Sequence, residues 1–362
     1  MKKIRLISIA LILCLFASCA ASCGKTLPAM EFRGKQISVN LYSYWQSAIK
    51  SNYVDATTDT EQYWSTRISE DETYADRMND IVNMNVRYNV ISAALFDEYG
   101  LTLDDETLTS IDSSIEDYIE SFGSKNDANA ELSKYNINID MLKEIYTIEA
   151  KANAVYSHLY GDDGIRKITD EKLDEFFKNN YMHVNVMILF SSFEYEKDEN
   201  GELKQNESGD GYLTRDLTEE ESNAKQKTAD EIISRLEAGE SFEELKEQYN
   251  EDPKKELFSK GYYMSANEVS TYGADLILAV QELEIGEFTQ TTDGKAIYII
   301  QREELEDGIY KDETYIQQIP NISVYCSSED FSVFMSDFED EVKIFEENLS
   351  NYPIEKAALL SE

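Results

Sequence analysis

Chemistry at neutral pH needs side chains that titrate there or that attack, and this chain of 362 residues offers few of them. Its two histidines are His158 and His183, and of its four cysteines only Cys326 lies beyond residue 23. His183 opens the apolar run YMHVNVMILF at 181–190. There it is either a catalytic group or a bystander at the mouth of a strand, and that alternative separates an enzyme from a binding protein. His158 sits in VYSHLY, where helical spacing sets it near Lys151 and Ala154, with no carboxylate within four residues except Asp162. It reads as structural. One cysteine in the body can form neither a disulfide nor a zinc set there. With no histidine near it in sequence, Cys326 reads as a small buried hydrophobe.

The abundant ionisable groups are carboxylates: 72 Asp and Glu against 33 Lys and Arg, a formal net charge of -39. A surface so acidic repels nucleic acid and anionic lipid, which excludes nucleic-acid binding. No Asp-x-Asp-x-Asn-Gly loop appears, so the carboxylates read as a solvated, self-repelling surface rather than a calcium site. No metal and no cofactor is expected.

The first 23 residues differ from the rest. MKKIR is basic, and LISIALILCLF is an apolar run too short for a typical membrane span and suited to a signal peptide. Phe-Ala-Ser-Cys at 16–19 and Ala-Ala-Ser-Cys at 20–23 each resemble the bacterial lipobox, where cleavage leaves a lipidated cysteine at the new N-terminus. Cys19 directly follows the apolar run and is favoured; Cys23, with Gly24 after it, is the alternative. Such a cysteine would anchor the mature protein to the outer face of the cell membrane through its acyl chains.

Further along, Pro28 and Gly34 mark residues 24–35 as a tether. Apolar residues then recur at helical spacing. They include Leu41, Tyr44, Trp45 and Ile49 after a Ser38 cap, and Met78, Val82 and Ile91 in a long helix closed by Gly100. Leu108, Ile111 and Ile115 follow in another, and the helical pattern continues to about 160. Nothing in 36–160 alternates like a sheet. After Gly161 the pattern changes. Thr169 caps a short helix, and VNVMILF reads as a strand. Residues 193–216 form a charged loop or hairpin arm. Thr218 with Glu221, and Ser241 with Glu244, form capping boxes for two helices. KGYYM, the helix ADLILAVQELEIGE and the strand KAIYIIQRE complete an α+β unit. A last helix carries Phe331, Phe334, Phe338 and Phe345, an apolar stripe that needs a partner.

The organisation expected is therefore a signal peptide at 1–23, a tether at 24–35 and a helical N-terminal lobe at 36–164. The α+β domain spans 165–304, with 193–216 as a loop insertion. A C-terminal segment at 305–362 sends its helix back to the lobe. The fold class is α+β.

The stretch LEAGESFEELKEQYNEDP, with Gly239, Phe242, Leu245, Tyr249 and Asp252, resembles parvulin-type peptidyl-prolyl isomerase domains. So does LEIGEFTQTTDGKAIYIIQRE, with Leu283, Gly286, Glu287, Gly294 and Ile299–Ile300, and ITDEKLDEFFKNNYMHVNVMILF looks like the connector helix and first strand. With the lipobox and helical flanks, the chain resembles the extracytoplasmic foldase lipoproteins of Gram-positive bacteria. The resemblance implies a small antiparallel sheet with covering helices, inserted into the helical lobe. Its site would hold one histidine before the Ile-Leu pair of the first strand and another in the last strand. Here Met187 precedes Ile188-Leu189, and Tyr298 precedes Ile299-Ile300. Both family histidines are thus replaced, and His183 lies four residues before Met187, on the same strand face but about 13 Å away.

The resemblance implies a peptide-binding groove of Met187, Leu189, Tyr272, Leu276 and Tyr298, with no catalytic residue assigned. Prolyl isomerisation breaks no covalent bond and needs a desolvated pocket that lowers a rotation barrier of ~18–20 kcal/mol. The expected function is a foldase or chaperone for unfolded or newly exported proteins, with weak or no isomerase activity. An active peptidyl-prolyl isomerase is the alternative. A solute- or polysaccharide-binding surface lipoprotein is a third.

Overall fold

A computed structural model describes residues 26–206, 208, 209, 211–319 and 321–360. The signal peptide, Cys19 and Cys23 lie outside the described residues. In chain order the main elements are β1 (Pro28–Phe32), β2 (Lys35–Ser38), α1 (Val39–Ser51), α2 (Glu61–Ser65), α3 (Tyr74–Glu98), α4 (Asp105–Ser121), α5 (Lys125–Leu132) and α6 (Ile139–Tyr160). Next come α7 (Asp170–Asn180), β3 (Tyr181–Phe190), β4 (Phe193–Tyr195), β5 (Thr214–Asp216), α8 (Glu219–Glu237), α9 (Phe242–Tyr249) and β6 (Tyr262–Ser265). They are followed by α10 (Val269–Tyr272), α11 (Ala274–Gln281), β7 (Phe288–Thr292), β8 (Ala296–Glu303), α12 (Ile322–Ser336), β9 (Lys343–Ile344) and α13 (Glu346–Leu349). The fold is α+β, and the chain divides into two compact units, Met1–Lys167 with Glu329–Glu362, and Ile168–Ser328.

In the first unit the long helices start where a side chain can satisfy an open backbone donor. The Ser38 hydroxyl accepts from the Leu41 amide at the head of α1, and Thr73 and Asp76 form a reciprocal capping box at the head of α3. Gly100, at φ +64°, follows the end of α3 in a conformation that suits glycine. Val82, Val86, Val90 and Ile91 of α3 are completely buried with Leu142 and Ile145 of α6.

Two parts of this unit differ from the sequence reading. Residues 28–38 are a hairpin, not a tether running into a helix. Arg33 (φ 43°) and Gly34 (φ 81°) turn the chain, and β1 then pairs with both β2 and β9 in a sheet of order β2-β1-β9. Ala29, Met30, Phe32 and Ile37 are buried in the lobe's core, so the lobe is not all-helical. The strands are too short to show a period, and the third arrives from more than 300 residues away. The last helix is also shorter than its phenylalanine stripe implied. It ends at Ser336, and Phe331, Phe334 and Phe338 still pack on the first unit's core before the chain enters β9.

The second unit is built on a four-stranded antiparallel sheet of order β6-β3-β8-β7. Strand β3 is central. Its odd-numbered residues Met187 and Leu189 pack with Ile297 and Ile299 of β8 against Ala229 and Ile232 of α8 and Phe242 and Leu245 of α9. Its even-numbered residues Met182, Val184 and Val186 pack with Met264, Ile300 and α11. Asn185 is a buried polar residue of the odd face: it donates to Glu243 and accepts from Lys246. A third cluster joins Phe176 and Phe177 of α7 to Tyr263, Tyr310, Tyr315, Ile319 and Cys326. Cys326 is buried there, as a small hydrophobe would be. This cluster carries the second unit past residue 304, as far as Ser328.

Candidate functional site

The alternation of β3 sorts the candidate residues onto two faces. Met187 is fully buried beneath α8 and α9, and Leu189 is 2% exposed beside it. Tyr298, Tyr272 and Leu276 pack on the other face, against the cluster covered by α11. The structure therefore brings three of the five together and sets Met187 and Leu189 apart from them. The residue opposite Tyr298 across β3 and β8 is Ile188, while Met187 is opposite Ile299. A one-residue difference in register exchanges the two faces of a strand. Ile188, not Met187, thus shares the face of Tyr298.

On that face the half-buried side chains of Ile188, Tyr298, Tyr272 and Tyr262 surround the buried Leu276. Tyr298 donates its hydroxyl to Asp293 at 3.0 Å, and its phenol is pushed up to about 12 by burial, with Asp293 adding to the shift. Tyr262 donates to the carboxylate of Asp252, and burial raises its phenol further still. Asp252 is itself buried, and its Oδ1 accepts from the Lys254 amide at 2.8 Å. The segment around it is laced to the edge of β3: Ile188 N donates to Asn250 Oδ1 at 2.9 Å, and Glu251 N donates to the Ile188 carbonyl at 2.9 Å. Pro253 follows Asp252 and ends the helical stretch, so sequence marks the turn but not what the carboxylate meets.

Glu268, unlike Asp252, belongs to no motif of the sequence. It is 6% exposed, its Oε2 accepts from the Ser265 amide at 2.9 Å, and burial pushes its carboxyl up to about 7. Nothing in the spacing around SANEVS announces it. A burial-driven shift of this kind depends on tertiary packing alone.

His183 has a different setting. Its ring stacks on Tyr263 at 4.4 Å and 6°, Nδ1 lies 2.7 Å from the Glu304 carbonyl, and Nε2 lies 2.5 Å from the Lys260 carbonyl. Both nitrogens are occupied by backbone oxygens, so the ring staples β3 to two neighbouring segments and presents no nitrogen to a substrate. His158, in α6, packs on Tyr99 at 4.9 Å. Among the described residues no group of three or more His, Cys, Asp or Glu could hold a metal ion, and no helix is long and apolar enough to cross a membrane.

The arrangement is an apolar, tyrosine-rich face edged by two buried acidic side chains, Asp252 and Glu268. It can desolvate an extended apolar segment, while the Tyr298 and Tyr262 hydroxyls stay committed to Asp293 and Asp252. It presents no base–nucleophile pair.

No family model matches the sequence, and no curated protein does. Among solved structures, the chain is similar to PrsA from Bacillus subtilis, at 16% identity over 76% of this chain and 84% of that one, with a TM-score of 0.23. It is similar to the peptidylprolyl isomerase PrsA from Bacillus cereus, at 17% identity over 80% and 97%, with a TM-score of 0.27. It is also similar to the foldase protein PrsA from Lactococcus lactis, at 12% identity over 90% and 99%, with a TM-score of 0.25. Likeness at this level carries no argument about the site, which stands on its own geometry.

Proposed function

We propose that the chain is an extracytoplasmic foldase or chaperone, anchored by a lipid on Cys19 or Cys23, that binds unfolded exported polypeptides and has weak or no prolyl isomerase activity. One observation carries the reading. Of the two positions where the resemblance implies a histidine, Met187 is buried on the far face, and Tyr298 on the α11-covered face has Ile188 as its cross-strand partner. That pair is apolar with one neutral phenol, so it favours burial of an extended chain over charge-assisted rotation about a peptide bond. Tyr272 and Leu276 extend the same apolar face.

Two measurements on the full mature chain test it. Suppression of aggregation of a reduced, unfolded protein, followed by light scattering, is expected at near-stoichiometric amounts. Acceleration of a proline-limited refolding reaction is expected to be small or absent. Strong acceleration would make it an active isomerase instead, and no effect in either assay would sink the reading.

A further inference from the structure

A concavity lies within the second unit, under the arm made by β4 and β5. It is an open cleft of ≈ 1190 Å³, lined by Leu189 and Phe190, the arm, the first half of α8 and residues 247–256. Ligand pockets commonly measure about 300–1,000 Å³, so this one has room for more than a small metabolite.

Asn250 lines the cleft and is 7% exposed. Its Oδ1 accepts from Ile188 N at 2.9 Å and from Asp252 N at 3.2 Å, which fixes the orientation of the amide. Its Nδ2 has no hydrogen-bond partner among the described residues. A buried donor left unpaired is destabilising, and a carbonyl admitted to it by a small shift of the cleft wall would recover that loss. Beside it stands a run of aromatic rings. Phe190 meets Phe193 at 4.6 Å and Tyr195 at 5.1 Å, and Tyr195 meets Tyr212, which is 42% exposed, at 5.8 Å. Seven of the wall's twelve charged side chains pair with one another: Arg215 with Glu194 and Glu221, Lys204 with Glu196, and Lys225 with Glu251. The wall as a whole carries seven carboxylates against five cations, so it offers an anionic ligand no net attraction.

We infer that the cleft is a second binding site, for a neutral, extended polypeptide segment. One backbone carbonyl of the segment accepts from Asn250 Nδ2, and an aromatic or proline side chain packs on Phe190 and Tyr195. The inference rests on the functional reading above and extends its client contacts from the Tyr298 face to the arm.

The probe is a short neutral peptide with a central Phe-Pro, labelled with fluorescein and carrying a benzophenone, offered to the full mature chain. Asn250→Asp keeps the accepting oxygen and deletes the donor; Tyr195→Ser removes the stacking surface. Each is expected to weaken the anisotropy-measured affinity about tenfold. Photolysis of the wild-type complex is expected to attach the peptide within 190–216 or 247–256, which decides the matter even where a variant does not fold. No peptide binding by the wild type would overturn the functional reading and this site with it. Wild-type affinity in both variants, or attachment confined to other segments, would overturn this site alone and leave the reading standing. Displacement of the peptide by cellohexaose would assign the cleft to a saccharide and overturn it too.

Discussion

Tyr298 lies directly opposite Ile188 across the two central strands of the second unit, with its hydroxyl held on Asp293 at 3.0 Å. Its ring is half-buried, so it can serve the fold and a ligand at once. Two substitutions separate those roles. Tyr298→Phe removes one hydrogen bond and should cost about 1 kcal/mol of stability with little change in peptide affinity. Tyr298→Ala empties the centre of the face and should weaken peptide binding about tenfold per folded molecule. Affinity and melting temperature measured together check this. Equal affinity in the alanine variant would make Tyr298 a core residue only.

Much of the second unit was legible because its signals are local. Thr218 and Glu221 form the reciprocal capping box that their spacing implied, and Thr169 accepts from the Lys172 amide at the head of α7. Ser241 occupies the cap position of α9 but makes no side-chain cap bond, since spacing sets only the opportunity. The alternation of β3 was equally plain and placed His183 and Met187 on one face. What sequence could not show was which residue of β8 lies opposite which residue of β3. That register is fixed by packing between segments over 100 residues apart, and it moved the neighbour of Tyr298 from Met187 to Ile188. The hairpin at 28–38 was hidden for the same reason, because its short strands are completed only by Lys343–Ile344.

His183 is expected to matter for stability and not for chemistry. Its ring stacks on Tyr263, and both nitrogens meet backbone carbonyls. His183→Ala should cost about 1–3 kcal/mol, the sum of a ring contact and the hydrogen bond donated by the ring's one N–H. Any isomerase rate should stay within about twofold, against the 10²–10⁴-fold loss typical of an acid–base group. Gly261 closes the same corner at φ +95°, where an added Cβ would meet the Val184 carbonyl at 2.4 Å, so Gly261→Ala should destabilise the unit as well. Denaturant melts and a protease-coupled isomerase assay report both effects. A large activity loss in the His183 variant at unchanged stability would restore a catalytic histidine.

Lys50 ties the two ends of the first unit together. Its buried ammonium donates to the carbonyls of Ile354 at 3.0 Å and Ala357 at 2.8 Å, and it pairs with Asp59 at 2.8 Å. Lys50→Met keeps the volume but leaves Asp59 and those carbonyls without their cation. Breaking a buried pair in this way should cost about 3–5 kcal/mol. Residues 354–360 should then become sensitive to limited proteolysis while the second unit's proteolytic pattern is unchanged. Equal resistance in the variant would mean that apolar packing of the tail suffices.

The last expectation concerns pH. Burial holds the Glu268 carboxyl up at about 7, against an ordinary value of 4.5. The folded state therefore keeps this proton where the unfolded chain has released it. Its contribution to stability is full below about pH 4.5 and is lost as pH rises through about 7, because the charged form would be buried. The gap corresponds to about 3 kcal/mol between the two limits. Glu268→Gln keeps an oxygen for the Ser265 amide and removes the titration. Urea unfolding of both proteins at about pH 5 and about pH 8.5 isolates the residue, since every other titrating group is common to the two. The wild type should lose about 2.5 kcal/mol more than the variant over that interval, since a little of the loss already precedes pH 5. A stability difference between them that stays constant with pH would mean that Glu268 is ionised in the folded protein throughout, and that the face beside Tyr272 carries a fixed negative charge.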